Sequence, residues 1–209
     1  METEIQKLGN TVFALKTTDI QTYLENYGDL SMNAALRAER IACQLRNLVC
    51  LAAPEKRSSY LKESADAQGI KIDLDGDLVS ITLPGLLPKR RQHVNTAFLH
   101  EPLNYALQEY LTVHSLPLYR ECVVCLSQIY DRNGPFDRIR DYDNLEFKQL
   151  LDTIATYIMV DDTGLYCDSY HTTEMGEKDY TVIYVMAKSR FPRWLKERKN
   201  EIETISEIC

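Results

Sequence analysis

The sequence predicts an α+β fold, a small mixed sheet with packed helices preceded by a helical module. Three observations carry that prediction. The hydrophobic period changes from helical to two near Gly69. Beyond that point strand-like and helix-like stretches are mixed in the manner of α+β domains. The length, 209 residues, suffices for one good core and a small second module. The expected division is a helical module over residues 1–69 and an α+β domain over residues 70–209.

Residues from about Glu4 to Gly69 read as helical. The clearest helix runs near Ser31 to Ala53, where Leu36, Cys43, Leu45, Leu48, Val49 and Leu51 form an apolar side and Pro54 stops it. A shorter polar helix follows. Ile70 to Leu74, the Asp75-Gly76 turn and Leu78 to Leu83 then predict a β-hairpin. Pro84-Gly85 and Pro88 break the second strand, leaving Lys89-Arg90-Arg91 in a loop. A helix is expected over Glu101–His114 and a strand over Tyr119–Ile129, ended by Asn133-Gly134-Pro135. Phe147, Leu150, Leu151, Ile154 and Ile158 mark the buried stripe of a helix from Leu145 to Ile158. Two short strands, Leu165–His171 and Tyr180–Met186, are joined by Glu174–Lys178, and a last helix runs from Pro192 to about Ile205.

Composition narrows the function classes. Hydrophobic content of 44% and charged content of 26% are those of a globular protein rather than a disordered one. No apolar run reaches membrane-spanning length and the N-terminus lacks a signal-peptide layout, so a cytoplasmic protein with no membrane partner is expected. Cys122 and Cys125 form a CxxC, but on a strand residues three apart face opposite sides, which argues against a zinc knuckle. None of the six cysteines needs a reactive role. A net charge of −7 argues against indiscriminate nucleic-acid binding and directs attention to local basic clusters: Lys89, Arg90 and Arg91, then Arg132, Arg138 and Arg140, then Arg190, Arg193, Lys196, Arg198 and Lys199. Trp194 is expected to pack rather than to contact DNA.

The chemistry-bearing feature is a pair of acidic motifs, Asp141-Tyr142-Asp143-Asn144 and Asp161-Asp162, at the two ends of one amphipathic helix. Side chains two apart point the same way in extended backbone, so Asp141 and Asp143 can present oxygens to one point. Mg²⁺ suits such a place because it takes one or two carboxylates and completes its octahedron with water and phosphate. The same residues have a plainer reading. Asp143 with Glu146 is a capping box, and Asp161-Asp162-Thr163-Gly164 is an ordinary turn.

From Ile81 to Met186, about half the chain, the order of motifs resembles the RusA-like Holliday junction resolvases. Ile81-Thr82-Leu83-Pro84-Gly85 is similar to that family's opening strand, proline turn and basic residues. Asp141-Tyr142-Asp143-Asn144-Leu145 matches its D-x-D-N-L, Asp152 looks like the acidic residue later in the helix, and Val160-Asp161-Asp162 looks like its terminal D-D. The resemblance implies a Mg²⁺-dependent endonuclease, with Mn²⁺ as a substitute, that resolves four-way or related branched DNA as a homodimer. It implies that Asp141, Asp143 and Asp162 are metal-binding and catalytic, with Asp161 adjacent. Lys89, Arg90, Arg91, Arg132, Arg138 and Arg140 would meet DNA. The family places a lysine four residues after the second aspartate. Here Phe147 holds that position and Lys148 follows it, a displacement of about 100° on a regular helix. The alternative is a catalytically impaired fold that binds DNA or protein without cutting. The helical front, outside the resemblance, is expected to recruit a protein partner or to add a packing layer.

Overall fold

The computed structural model describes residues 2–19, 24–87, 97–133 and 139–198, and these divide into two compact units, residues 1–60 and 61–209. The first unit holds α1 (Glu2–Thr17), α2 (Leu24–Ala52) and a 3₁₀ turn (Pro54–Lys56). α1 and α2 are joined by an ion pair in which Arg37 Nη1 meets Glu4 Oε2 at 3.0 Å. α3 (Arg57–Gln68) crosses the division, and its Ala65 is buried with the core of the second unit.

That second unit is mixed α+β. Strands β1 (Lys71–Asp75), β2 (Leu78–Leu83), β3 (Cys122–Asp131), β4 (Cys167–Gly176) and β5 (Tyr180–Ala187) form one sheet in the order β1-β2-β5-β3-β4. Only the β3/β4 pair is parallel. The β1/β2 hairpin turns where expected, with Gly76 at φ +60°, a region costly for any residue with a Cβ.

Two helices, α4 (Ala97–Val113) and α5 (Lys148–Ile158), contribute to the main core with one face of the sheet. Leu150, Ile154 and Ile158 of α5 recur at helical spacing, are fully buried, and meet a core that includes Val79, Ile81, Leu83, Val124, Leu126, Ile183 and Val185. Each such aliphatic side chain contributes about 1.5–3 kcal/mol on burial. A smaller core joins Val123, Cys125 and Met186 to Trp194 and its neighbours Phe191 and Leu195 in a last helix, residues 191–198. Cys122 and Cys125 therefore fall into different cores, as the alternation of a strand requires. Trp194 is a packing residue.

Two strands differ from expectation. β3 begins at Cys122, while Tyr119 forms an isolated parallel bridge with Met159. β4 runs on through the expected connector to Gly176 because its whole length pairs in register with β3, from Cys122 opposite Cys167 to Asp131 opposite Gly176. Gly176 leaves room there for Ile129, whose Cγ2 would lie 2.6 Å from an added Cβ and would have to shift. Cys43 and Cys50 side chains, and the expected end of the last helix, lie outside the described residues. Among the described residues no helix is long and apolar enough to cross a membrane.

Candidate functional site

The acidic segment follows β3 and crosses to the edge strand β4. Asp141 has extended backbone and precedes a 3₁₀ turn, Tyr142–Asn144, that closes with Leu145 N–H donating to Tyr142 O at 3.3 Å. Leu145 is buried in the main core. Phe147 is the N-cap of α5, so the helix begins at Lys148 rather than at Leu145. The capping box of the plainer reading is not formed, since Asp143 lies inside the 3₁₀ turn and does not precede the helix.

This irregular entry has a consequence for the displaced lysine. Lys148 stands at the start of α5 and its Nζ is 2.8 Å from Asp152 Oδ1 and 3.8 Å from Asp162 Oδ2. The hydrogen bond to Asp152, the field of the same carboxylate and then that of Asp162 raise the Lys148 pKa, so the ammonium stays charged through neutral pH. Asp162 reaches this point because the chain is tied back after α5. Tyr119 N–H donates to Ile158 O at 2.8 Å, and Val160 N–H donates to Tyr119 O at 2.9 Å. A shallow hollow of about 390 Å³ is lined by Asp152, Ala155, Thr156, Met159, Val160, Asp161 and Asp162.

The remaining candidates separate into distinct roles. Asp161 Oδ1 accepts from Thr163 N–H at 2.9 Å, the turn role expected of aspartate there. Asp141 and Asp143 are exposed, and neither forms an ion pair with another described residue. Among the described residues no group of three or more His, Cys, Asp and Glu is placed to hold a metal ion, so these side-chain positions do not form a three-aspartate centre. The same-side placement expected of Asp141 and Asp143 is not formed either, because only Asp141 is extended and Asp143 lies inside the 3₁₀ turn; the donor set is two exposed carboxylates, a number that a hydrated divalent cation accepts.

Among the basic residues, Lys89, Arg90, Arg91, Arg138 and Lys199 lie outside the described residues. Arg132 is exposed and its Nε donates to Gly176 O at 3.3 Å. Arg140 has an internal role that the charge pattern did not suggest: its Nη1 donates to Leu87 O and its backbone N–H to Tyr130 Oη. Arg190 is engaged by Asp75 and Asp77, and Arg193 by Glu197. Arg198 pairs with Glu174, donates to Ser127 and Thr172, and lies over the Trp194 and Tyr184 rings.

Several side chains that matter here carry no motif signal. Gln128 and Thr181, both buried, are hydrogen-bonded at 2.8 Å; Leu87 N–H donates to Gln128 Oε1 and Thr181 Oγ1 donates to Gly85 O. These bonds fix the turn after β2. Only the polarity of Gln128 within an apolar strand hints at it. His171 on β4 lies between Tyr142 and Phe147, with ring-centroid distances of 5.2 and 6.4 Å. Its Nδ1 is buried without a partner among the described residues, and burial lowers its pKa. The Cys122 thiol is pushed far up by its hydrogen bond to Cys167 and by burial, and burial pushes Cys125 up to about 12, so neither is a nucleophile at neutral pH.

No protein of curated function matches the chain. A protein-family model matches residues 1–209, and the chain accordingly belongs to DUF6100, a family of unknown function.

Proposed function

We propose that this protein is a divalent-cation-dependent endonuclease for branched DNA, acting in the manner of the RusA-like Holliday junction resolvases. The observation that carries the proposal is the position of Lys148, whose Nζ lies 3.8 Å from Asp162 Oδ2 although the residue is displaced by one place from the family pattern. The non-helical stretch from Leu145 to Phe147 absorbs the displacement, because α5 takes its phase from Lys148 onward. Support also comes from the ordered motifs between Ile81 and Met186 and from the mixed sheet that holds them.

In this reading Asp141 and Asp143 would hold Mg²⁺, or Mn²⁺ in its place, while Asp162, which faces Lys148, does not join them in a three-carboxylate centre. Bound there, such an ion supplies Lewis-acid polarisation of the scissile phosphate and a water of lowered pKa. Asp141 and Asp143 contribute anionic oxygens at the protein surface, where a phosphodiester can approach. Lys148 contributes a fixed positive charge that stabilises the charge building on the phosphoryl oxygens. Asp152 and Asp162 keep that ammonium protonated at the start of α5. A four-way junction has two equivalent strands to cut, so a two-fold homodimer is the matching assembly.

A second reading, a DNA-binding or protein-interaction module that does not cut, is favoured by one observation: at 2.8 Å, Asp152 already occupies Lys148, and Asp162 faces the lysine rather than Asp141 and Asp143. The two readings separate in a gel assay with a labelled four-way junction and a linear duplex of the same sequence. The endonuclease reading expects paired nicks in the junction with Mg²⁺ and none with EDTA. Junction binding without nicks in either Mg²⁺ or Mn²⁺ would leave the non-cutting module.

A further inference from the structure

The partner of Cys122 in space is not its near neighbour in sequence, Cys125. Cys122 is the first residue of β3 and Cys167 the first of β4, and the parallel register sets the two directly opposite each other. Both side chains enter the main core, so they leave the same face of the sheet, and a hydrogen bond joins the two thiols. Adjacent strands lie about 4.7–4.9 Å apart, inside the Cα separation of about 4.4–6.8 Å that a disulfide spans. Cys125 faces the smaller core, with Tyr170 opposite it on β4.

The two thiols are not equivalent. Cys122 is 1% exposed and Cys167 8%, so Cys167 is the one that a small solute reaches. The hydrogen bond from Cys122 lowers the Cys167 pKa against burial and the fields of Asp162 and Asp168, and a backbone hydrogen bond from Val124 adds to the lowering. The same bond is the largest cause that pushes Cys122 up. When protonated, Cys167 Sγ donates only a long bond of 3.7 Å to Asp168 O, which does little to retain the proton.

We propose that Cys122 and Cys167 are a redox pair, which a hydroperoxide converts into a disulfide that clamps the start of β4 to β3. The Cys167 thiolate attacks the terminal peroxide oxygen, the O–O bond breaks and takes up the two electrons, and Cys167 becomes a sulfenic acid. That neutral product removes the charge that held the Cys122 proton. The Cys122 sulfur then attacks the Cys167 sulfur, the S–O bond breaks, and the hydroxyl leaves as water with the Cys122 proton. The clamp closes on a turn that backbone bonds already tie to β3: Cys122 N–H donates to Tyr166 O at 2.8 Å, and Tyr166 and Cys167 N–H both donate to Thr163 O at 2.9 Å.

The test treats the folded full chain with hydrogen peroxide, blocks the remaining thiols with N-ethylmaleimide in denaturant, and maps tryptic peptides without reduction. Residues 121–132 are expected to be joined to residues 149–178, two hydrogens lighter than the sum of the two peptides. Cys125→Ser should give the same joined pair. Cys122→Ser should give none, and should leave Cys167 as a sulfenic acid that dimedone traps. The oxidised parent should melt about 5–10 °C above its reduced form, and dithiothreitol should abolish the difference. Separate recovery of the two peptides from the peroxide-treated parent, each with its thiols blocked by the maleimide, would overturn the proposal and leave both cysteines as packing residues. A joined pair that persists in Cys122→Ser would overturn the assignment of Cys122, and a melting temperature unchanged by dithiothreitol would overturn the clamp.

Discussion

Phe147 occupies the place where the RusA-like pattern carries a lysine, and it is a packing residue: its ring is edge-on to His171 and it lies against the main core. Lys148 is then free to start α5 and lean toward Asp152 and Asp162. In the proposed reaction Lys148→Ala lowers junction cleavage by about 10²–10³-fold, the scale of losing one preorganised charge-stabilising donor. The melting temperature should stay near that of the parent because the lysine is solvent-exposed, and a gel assay beside a thermal melt reads both effects. His171 gives a pH dependence. Burial depresses its folded-state pKa below the ordinary value of about 6.5, so the unfolded chain binds the proton more readily. Its contribution to stability is therefore complete above that value and is lost as the pH falls through the depressed one. His171→Leu should flatten this part of the stability profile, measured by urea unfolding at a series of pH values. A profile unchanged by the substitution would contradict the assignment. Asp141, Asp143 and Asp162 were legible as motif residues, whereas the packing of Tyr142 on His171 was not, because it joins segments far apart in the sequence.

At the scale of elements, the β1/β2 hairpin and the buried stripe of α5 were legible from period and turn chemistry alone. Asp75-Gly76 names its own turn, and Leu150, Ile154 and Ile158 name one helix face. The start of α5 was not legible, because Asp143-Asn144-Leu145-Glu146 satisfies the local rules of a helix cap while Leu145 and Phe147 are drawn into the core ahead of the helix. Nor was the length of β4, whose Thr172, Thr173 and Glu174 show no apolar alternation and are strand residues only because β3 lies alongside. Arg140 was legible as a charge and illegible as an anchor for Leu87. The Gln128–Thr181 pair makes a quantitative prediction. Gln128→Leu leaves Leu87 N–H without its partner, at a cost of about 1–3 kcal/mol for a buried group left unsatisfied, while Thr181 Oγ1 keeps its bond to Gly85 O. Chemical denaturation checks it, and a loss below the error of that measurement would mean that the turn after β2 finds other partners.

For the whole molecule, the division into residues 1–60 and 61–209 and the net charge of −7 set the terms. The first unit, outside the RusA-like stretch, is proposed to recruit a protein partner. An acidic protein that binds DNA must do so through local basic clusters, and Lys89, Arg90 and Arg91 are proposed for this role. Replacing all three with Ala should weaken junction binding and flatten the salt dependence by roughly one unit of log–log slope for each phosphate that is no longer neutralised. A titration with unchanged affinity and slope would remove that loop from the DNA surface. Whether the Asp141–Asp143 turn is the cutting centre of a branched-DNA endonuclease, as proposed, is decided by incubating the parent and Asp143→Asn with a labelled four-way junction in Mg²⁺. The parent is expected to nick the junction symmetrically and Asp143→Asn not at all, with both proteins melting at closely similar temperatures. Equal nicking by the two proteins, or none by the parent at any Mg²⁺ or Mn²⁺ concentration, would contradict it.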